Sequence, residues 1–233
     1  GLISTFGILN REKELHIHGP KGIKEVINIQ LKHSKSYVKY KIIFHELNST
    51  ESELIFEDEK VKVYTIPLNH RVYTNGFLFK EKEKSRKINI SAVKEFKEID
   101  KCDYNNLKAG KDFKLDSGDV IKNSELTYNP EKPLSYAYCS DTSYKPTIIE
   151  IIDGVDLLYH ESTFLTDKED LAKKTGHSTA KQAATIAKKA NVKKLVLGHY
   201  SSRYKDISLF KKEAQEVFKN VSLAETGRVF SSK

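Results

Sequence analysis

In the second half of this 233-residue chain, short apolar runs repeatedly end on a histidine or an aspartate. Tyr136-Ala137-Tyr138-Cys139 leads into Ser140-Asp141-Thr142, Leu157-Leu158-Tyr159 into His160-Glu161, and Leu195-Val196-Leu197-Gly198 into His199. Between the runs the spacing changes to that of helices. After Ser178, read as a hydroxyl N-cap, Ala183, Ala184, Ile186, Ala187 and Ala190 share one helical face. From Pro133 onward the expected order is strand (134–139), helix (146–152), strand (155–159), helix (178–190), strand (195–198) and helix (208–218). Such alternation restricts the chain to α/β layers, sheets covered by helices, with polar chemistry at the strand ends.

The first half reads less regularly. Leu15-His16-Ile17-His18 alternates and stops at Gly19-Pro20, as a strand does at a turn. Ile23, Val26, Ile27 and Leu31 recur at helical spacing up to His33. Residues 42–47 and 61–68 read as strands, and Asn75-Gly76 as the turn of a hairpin before Phe77-Leu78-Phe79. From Lys80 to Pro133 the texture becomes rich in Lys, Glu, Asp and Asn, with one short helical pattern at Ala92, Val93, Phe96 and Ile99. The expected organisation is one domain over 1–233 carrying an insertion, or arm, at roughly 80–133; ordinary surface loops are the other reading of that segment.

Composition narrows the classes. Apolar runs of about five residues do not span a membrane. The two cysteines, Cys102 and Cys139, are far apart and have no metal spacing. That pattern fits a reducing cytoplasm and excludes a disulfide framework. Lys+Arg 40 against Asp+Glu 32 gives a net charge of +8. A lysine-rich solvated surface and a polyanionic partner such as RNA both account for it.

Four positions stand out chemically. Asp141 sits at the end of an apolar strand, where a carboxylate is costly unless paired, capping a helix or bound to a metal. It reads either as a turn or cap residue or as a ligand bridging two metal ions. His199 reads as a satisfied core histidine or as a ligand. Gly198 before it permits a close backbone approach, and Ser201, Ser202 and Arg203 after it gather polar groups, Arg203 with a planar fork suited to phosphate. His70 ends a strand, and neutral imidazole is a common zinc ligand. His177 lies just before a helix, placed to give a proton to a leaving oxygen. His16 and His18 form an H-x-H pair but are set aside as ligands, since their strand ends in Gly19-Pro20 with no Asp-His following.

Together these segments resemble the ribonuclease Z family, the transfer-RNA 3′-processing endonucleases of the metallo-β-lactamase superfamily. His18-Gly19-Pro20-Lys21-Gly22 resembles the family's Gly-Pro turn, and His70 with Gly76-Phe77 its isolated ligand histidine and Gly-aromatic pair. Ser140-Asp141-Thr142 is similar to its Gly-Asp-Thr motif with Ser for Gly. His160-Glu161-Ser162-Thr163-Phe164 is similar to His-Glu-Ala-Thr-Phe with Ser for Ala. His177-Ser178-Thr179 and His199 to Tyr204 match two further motifs.

The resemblance implies an αββα sandwich with two zinc ions. Asp141 would bridge the metals, with His70 and His199 as ligands. His177 would be the proton donor oriented by Glu161, and Arg203, Ser201 and Ser202 would line the scissile phosphate. It implies cleavage after the discriminator base of precursor transfer RNA by metal-activated water, leaving a 3′ hydroxyl, in a cytoplasmic homodimer. The arm lacks the Gly-Pro tip usual in the family's RNA-gripping insertion.

The family's His-x-His-x-Asp-His motif, which precedes a segment like Gly1-Leu2-Ile3-Ser4-Thr5, does not occur in the sequence. The sandwich is therefore expected to lack its opening strands. The chain as written holds three of the roughly seven ligands that two zinc ions sharing a bridge require. On its own it is expected to retain little zinc and to cleave nothing. Two alternatives remain open: a hydrolase of small phosphate or other esters on the same fold, and a non-catalytic RNA-binding half.

Overall fold

The structure, a computed structural model, describes residues 1–231. The chain divides into two compact units, one made of residues 1–57, 63–79 and 135 onward, the other of 58–62 and 80–134.

In the first unit, helix α1 (Leu2–Ile8) precedes strand β1 (Leu15–Pro20), helix α2 (Ile23–His33) and strand β2 (Ile42–Leu47). Strands β1 and β2 pair in parallel as a sheet of their own, with His18 opposite His45. The strand runs through Gly19 and Pro20, where the sequence suggested a stop, because the chain turns only at Lys21-Gly22; Gly22 takes a positive φ of 93° as the N-cap of α2. Next come β3 (Leu54–Glu57), β4 (Val61–Pro67) and β5 (Asn75–Glu81). Asn75-Gly76 opens β5 and is not a turn. A Cβ on Gly76 would lie 2.3 Å from the carbonyl oxygen of Tyr138, so glycine is there to admit the neighbouring strand.

Strands β6 (Ser135–Cys139), β7 (Leu157–Glu161), β8 (Leu195–Gly198) and β9 (Val221–Leu223) follow, with helices α3 (Glu169–Thr175), α4 (Ala180–Lys189) and α5 (Ser208–Gln215) between the later ones. They complete a seven-stranded sheet in the order β9-β8-β7-β6-β5-β4-β3. The run β6 to β9 is parallel, with Cys139 opposite His160 and Glu161 opposite Gly198. This register brings the ends of β6, β7 and β8 to one edge of the sheet, where parallel α/β sheets carry their sites.

Two sequence readings shift. The segment after Pro146 is a short 3-10 turn (Pro146–Ile148), and β7 starts at Leu157, not Val155. The cap of α4 is Thr179, whose hydroxyl accepts from the backbone N–H of Gln182 while the Gln182 side chain answers the Thr179 N–H. This reciprocal box fixes where the helix begins. The sheet is buried behind α4 and α5 by Ile66, Leu158, Ala183, Ala184, Ile186, Leu195, Leu197 and Phe210, all fully buried.

The second unit has a small core of Val93, Ile99, Leu107 and Leu126, with Ile88, Phe96, Tyr104, Phe113 and Ile121 against it. Its regular structure consists of short helices and two two-stranded pairs. Asn123 is buried there, and its amide donates 2.8 Å hydrogen bonds to the carbonyls of Leu107 and Lys111. Among the described residues, no helix is long and apolar enough to cross a membrane.

Candidate active site

Just past the ends of β6 and β8, Asp141 and His199 both have left-handed backbones, with φ of 52° and 61°. Such angles are uncommon outside glycine, although Asp and His tolerate them better than most residues. Each costs on the order of 1–3 kcal/mol and persists where surrounding structure dictates it. Here the strand ends dictate it: Ser162 N–H donates to Gly198 O at 2.8 Å and Ser201 N–H to Thr163 O at 3.0 Å, clamping the turn around His199. Gly198 is the close approach expected of it, since a Cβ there would meet the Tyr159 hydroxyl at 2.3 Å.

The two bends turn Asp141 and His199 toward each other, with Oδ1 and Nε2 3.1 Å apart. Ligand atoms of Asp141, His177 and His199 lie within 4.8 Å of one another, and among the described residues this is the one group of three such side chains so placed. The ring of His177 is 5.2 Å from that of His199 and 5.0 Å from that of His70. His70 thus borders the cluster without entering the tight triad. His70 Nδ1 lies 2.9 Å from the Gly176 carbonyl. A carbonyl only accepts, so Nδ1 holds a proton and Nε2 is the ring nitrogen left for a ligand. Gly176 is required for this contact, because a Cβ on it would sit 2.8 Å from His70 Nδ1.

Glu161 lies beneath the cluster, fully buried at the end of β7. Its Oε1 accepts from the Thr142 N–H at 3.1 Å and from His177 Nδ1 at 2.7 Å. Its Oε2 accepts from the Thr163 N–H at 2.9 Å and the Thr163 hydroxyl at 2.8 Å. Burial alone would raise its pKa, but the bonds from His177 and Thr163 outweigh it and the carboxyl titrates below its ordinary value. For His177 the bond to Glu161 dominates over burial, and its pKa is raised. With Nδ1 spent on Glu161, His177 presents Nε2 as the atom able to carry a proton outward.

The remaining residues are placed as follows. Ser201, Ser202 and Arg203 form the turn after His199, where Arg203 Nη1 donates to Ser201 Oγ at 3.3 Å and the guanidinium is exposed. His160 points into the interior, fully buried, its Nδ1 on the Glu161 carbonyl and its pKa lowered by burial. His16 and His18 lie apart from this set, with the His18 ring stacked on His45 at 4.3 Å. Thr163 and Thr142 are the members of the network that sequence reasoning passed over; their places inside the Glu161 and Asp141 motifs were the available signal.

The donor set suits a divalent metal of the zinc type: one carboxylate and histidines with outward Nε2 atoms. A carboxylate and an imidazole nitrogen 3.1 Å apart at a half-exposed lip also fit a shared cation. These residues can bind a metal, hold a proton on His177 and offer cationic and hydroxyl groups to an anionic substrate.

Comparison with known proteins follows the same lines. The pattern of the Beta-lactamase superfamily domain matches residues 129–200. A ribonuclease Z of Bacteroides fragilis is 46% identical over 225 residues, 97% of this chain and 74% of its own. One of Parabacteroides distasonis is 47% identical over 227 residues, again 97% and 74%. Among solved structures, the human tRNase Z short form superposes with a TM-score of 0.63 at 23% identity, covering 100% of this chain and 73% of that one. The fold is thus the metallo-β-lactamase fold, with mixed α/β content around a large central sheet. At this identity and coverage, the chain belongs to the ribonuclease Z family.

Proposed function

We propose that the chain is a metal-dependent endoribonuclease of the ribonuclease Z type, removing the 3′ trailer of precursor transfer RNA by hydrolysis of a phosphodiester. The observation that carries this is the meeting of Asp141, His177 and His199 above a buried, ionised Glu161, in a chain about 46% identical to ribonuclease Z enzymes. Asp141, His199 and His70 would hold zinc, two ions per site. Bound zinc activates water and neutralises charge developing on phosphate oxygens. His177, held by Glu161 and raised in pKa, delivers a proton from Nε2 to the departing ribose oxygen. Arg203, with Ser201 and Ser202, grips the scissile phosphate. The Lys80–Pro133 arm on a single domain, the net charge of +8 and the cytoplasmic location of precursor transfer RNA complete the reading, and family analogy makes the assembly a homodimer.

The test is cleavage of labelled precursor transfer RNA by the chain joined behind a family His-x-His-x-Asp-His segment. A cut after the discriminator base is expected. His70→Ala, Asp141→Ala and His199→Ala should each lower it by roughly 10³-fold or more, as loss of several kcal/mol of charge stabilisation requires. The chain alone, which holds three of the ligand positions, should not cleave. Retained cleavage in all three variants would overturn the proposal.

A further inference from the structure

Thr163 stands between the two halves of the site. Its hydroxyl oxygen lies 2.8 Å from Glu161 Oε2 and 2.8 Å from His199 Nδ1. The side chain is buried at 7% exposure, and its backbone is fixed on both sides, by the Thr163 N–H to Glu161 and by the Ser201 N–H to the Thr163 carbonyl. The contact therefore follows from the strand ends and is not a chance rotamer.

Counting hydrogens gives the contact a direction. A hydroxyl has one proton to give, whereas a carboxylate only accepts. Glu161 receives donors at both oxygens, so the Thr163 proton goes to Oε2. The Thr163 oxygen then meets His199 Nδ1 as an acceptor, and Nδ1 must carry the imidazole hydrogen. Nε2, on the far side of the ring, faces Asp141 Oδ1 at 3.1 Å. A carboxylate oxygen and a ring nitrogen this close share a cation, a proton in the metal-free chain or a metal ion when one is bound. Hydrogen bonds of this kind from the far nitrogen set the ligating atom in metal-binding histidines.

We propose that Thr163 is a positioning residue that locks His199 in its Nδ1–H form, and that this one hydroxyl ties the metal-ligand side, Asp141 and His199, to the proton-donor side, Glu161 and His177. The inference rests on the metal-site reading above, but its first test does not. Long-range ¹H–¹⁵N spectra of the metal-free chain should show His199 with a protonated Nδ1. Thr163→Val removes the hydroxyl at nearly constant shape and should shift the His199 Nδ1 resonance away from its hydrogen-bonded position. Thr163→Ser should restore the original pattern, and it also serves if the valine variant folds poorly.

A His199 Nδ1 without a proton in the unsubstituted chain, or a pattern unmoved by Thr163→Val in folded protein, overturns the inference. Zinc added alone to the cleaving fusion should bind about 10–100-fold more weakly to Thr163→Val than to Thr163→Ser; equal affinity would also overturn it. A fusion that binds zinc and shows the expected His199 pattern but leaves precursor transfer RNA uncut sinks the functional proposal alone.

Discussion

The lip of the parallel strands and the Lys80–Leu134 unit both bury polar side chains, but they spend them differently. In the second unit Asn123 gives its amide hydrogens to the Leu107 and Lys111 carbonyls, and Thr127 bonds back to Asn123. That network runs on to Arg86, which also bonds Asn129, and to Asp112, which pairs with Lys122, so its bonds are spent within the unit and pin loops over a small core. At the lip, Thr142, Glu161, Thr163 and Ser178 are equally buried and equally satisfied. There the chain of bonds ends on Asp141, His177 and His199, which keep atoms turned to the outside. A buried network whose bonds are spent on neighbouring groups is architecture. One that ends on unspent ligand atoms is a site, and its rigidity is what positions them.

The sharpest way to break the comparison is to cut one residue from each network. His177→Ala should lower cleavage by the joined enzyme about 10²–10⁴-fold, the range for loss of a proton donor. Asn123→Ala should leave the rate per folded molecule unchanged while costing about 1–3 kcal/mol of stability, because two backbone carbonyls lose their buried partner. Rates and denaturation curves measured on the same preparations separate the two. A rate loss in Asn123→Ala as large as in His177→Ala would erase the distinction.

A second contrast concerns the cores. Ile186 is fully buried in the extended core behind the sheet, and Leu126 is fully buried in the small one. Ile186→Ala should cost about 2–5 kcal/mol of global stability. Leu126→Ala removes a comparable side chain from a core of four buried residues. Its cost should fall mainly on residues 80–134, seen as faster amide exchange there with the strands from Ser135 to Gly198 still protected. Uniform loss of protection would show that the two units unfold as one.

Much of the site-bearing half is visible in the sequence, because periodicity and polar punctuation agree there. The helix at Ile23–His33 and the strand at Ile42–Leu47 fall where their spacing puts them. The strands before Asp141, Glu161 and His199 are visible because each is a short apolar run cut off by a charged or titratable group. What is not visible depends on partners far away in the chain. β7 extends to Glu161 because it pairs with Gly198 on β8, a register no local pattern contains. Asn75-Gly76 carries a turn signal, yet its glycine answers the approach of Tyr138 more than sixty residues on. Thr163 reads as an ordinary β-branched residue until His199 is folded against it. Asp141 and His199 can be picked out as residues, but the positive φ that makes them meet cannot.

The smallest effect expected is electrostatic and carries a definite sign. His177 has a raised pKa in the folded protein, so its pairing stabilises fully below the ordinary value of 6.5 and is lost as pH rises through the raised one. Glu161 has a lowered pKa, so its contribution is present above the ordinary 4.5 and is lost as pH falls through the lowered one. Both contributions are complete only between about 4.5 and 6.5. The difference in melting temperature between the unsubstituted chain and His177→Ala should therefore be greatest in that window. It should narrow toward alkaline pH as the imidazolium is lost, and toward acid as Glu161 is protonated. Added salt should change it little, since Glu161 is wholly buried and screening acts weakly on buried pairs. An offset constant across the whole range would mean that His177 contributes packing alone. The raised pKa, and with it the proton that His177 is proposed to deliver, would then have no support in the folded protein.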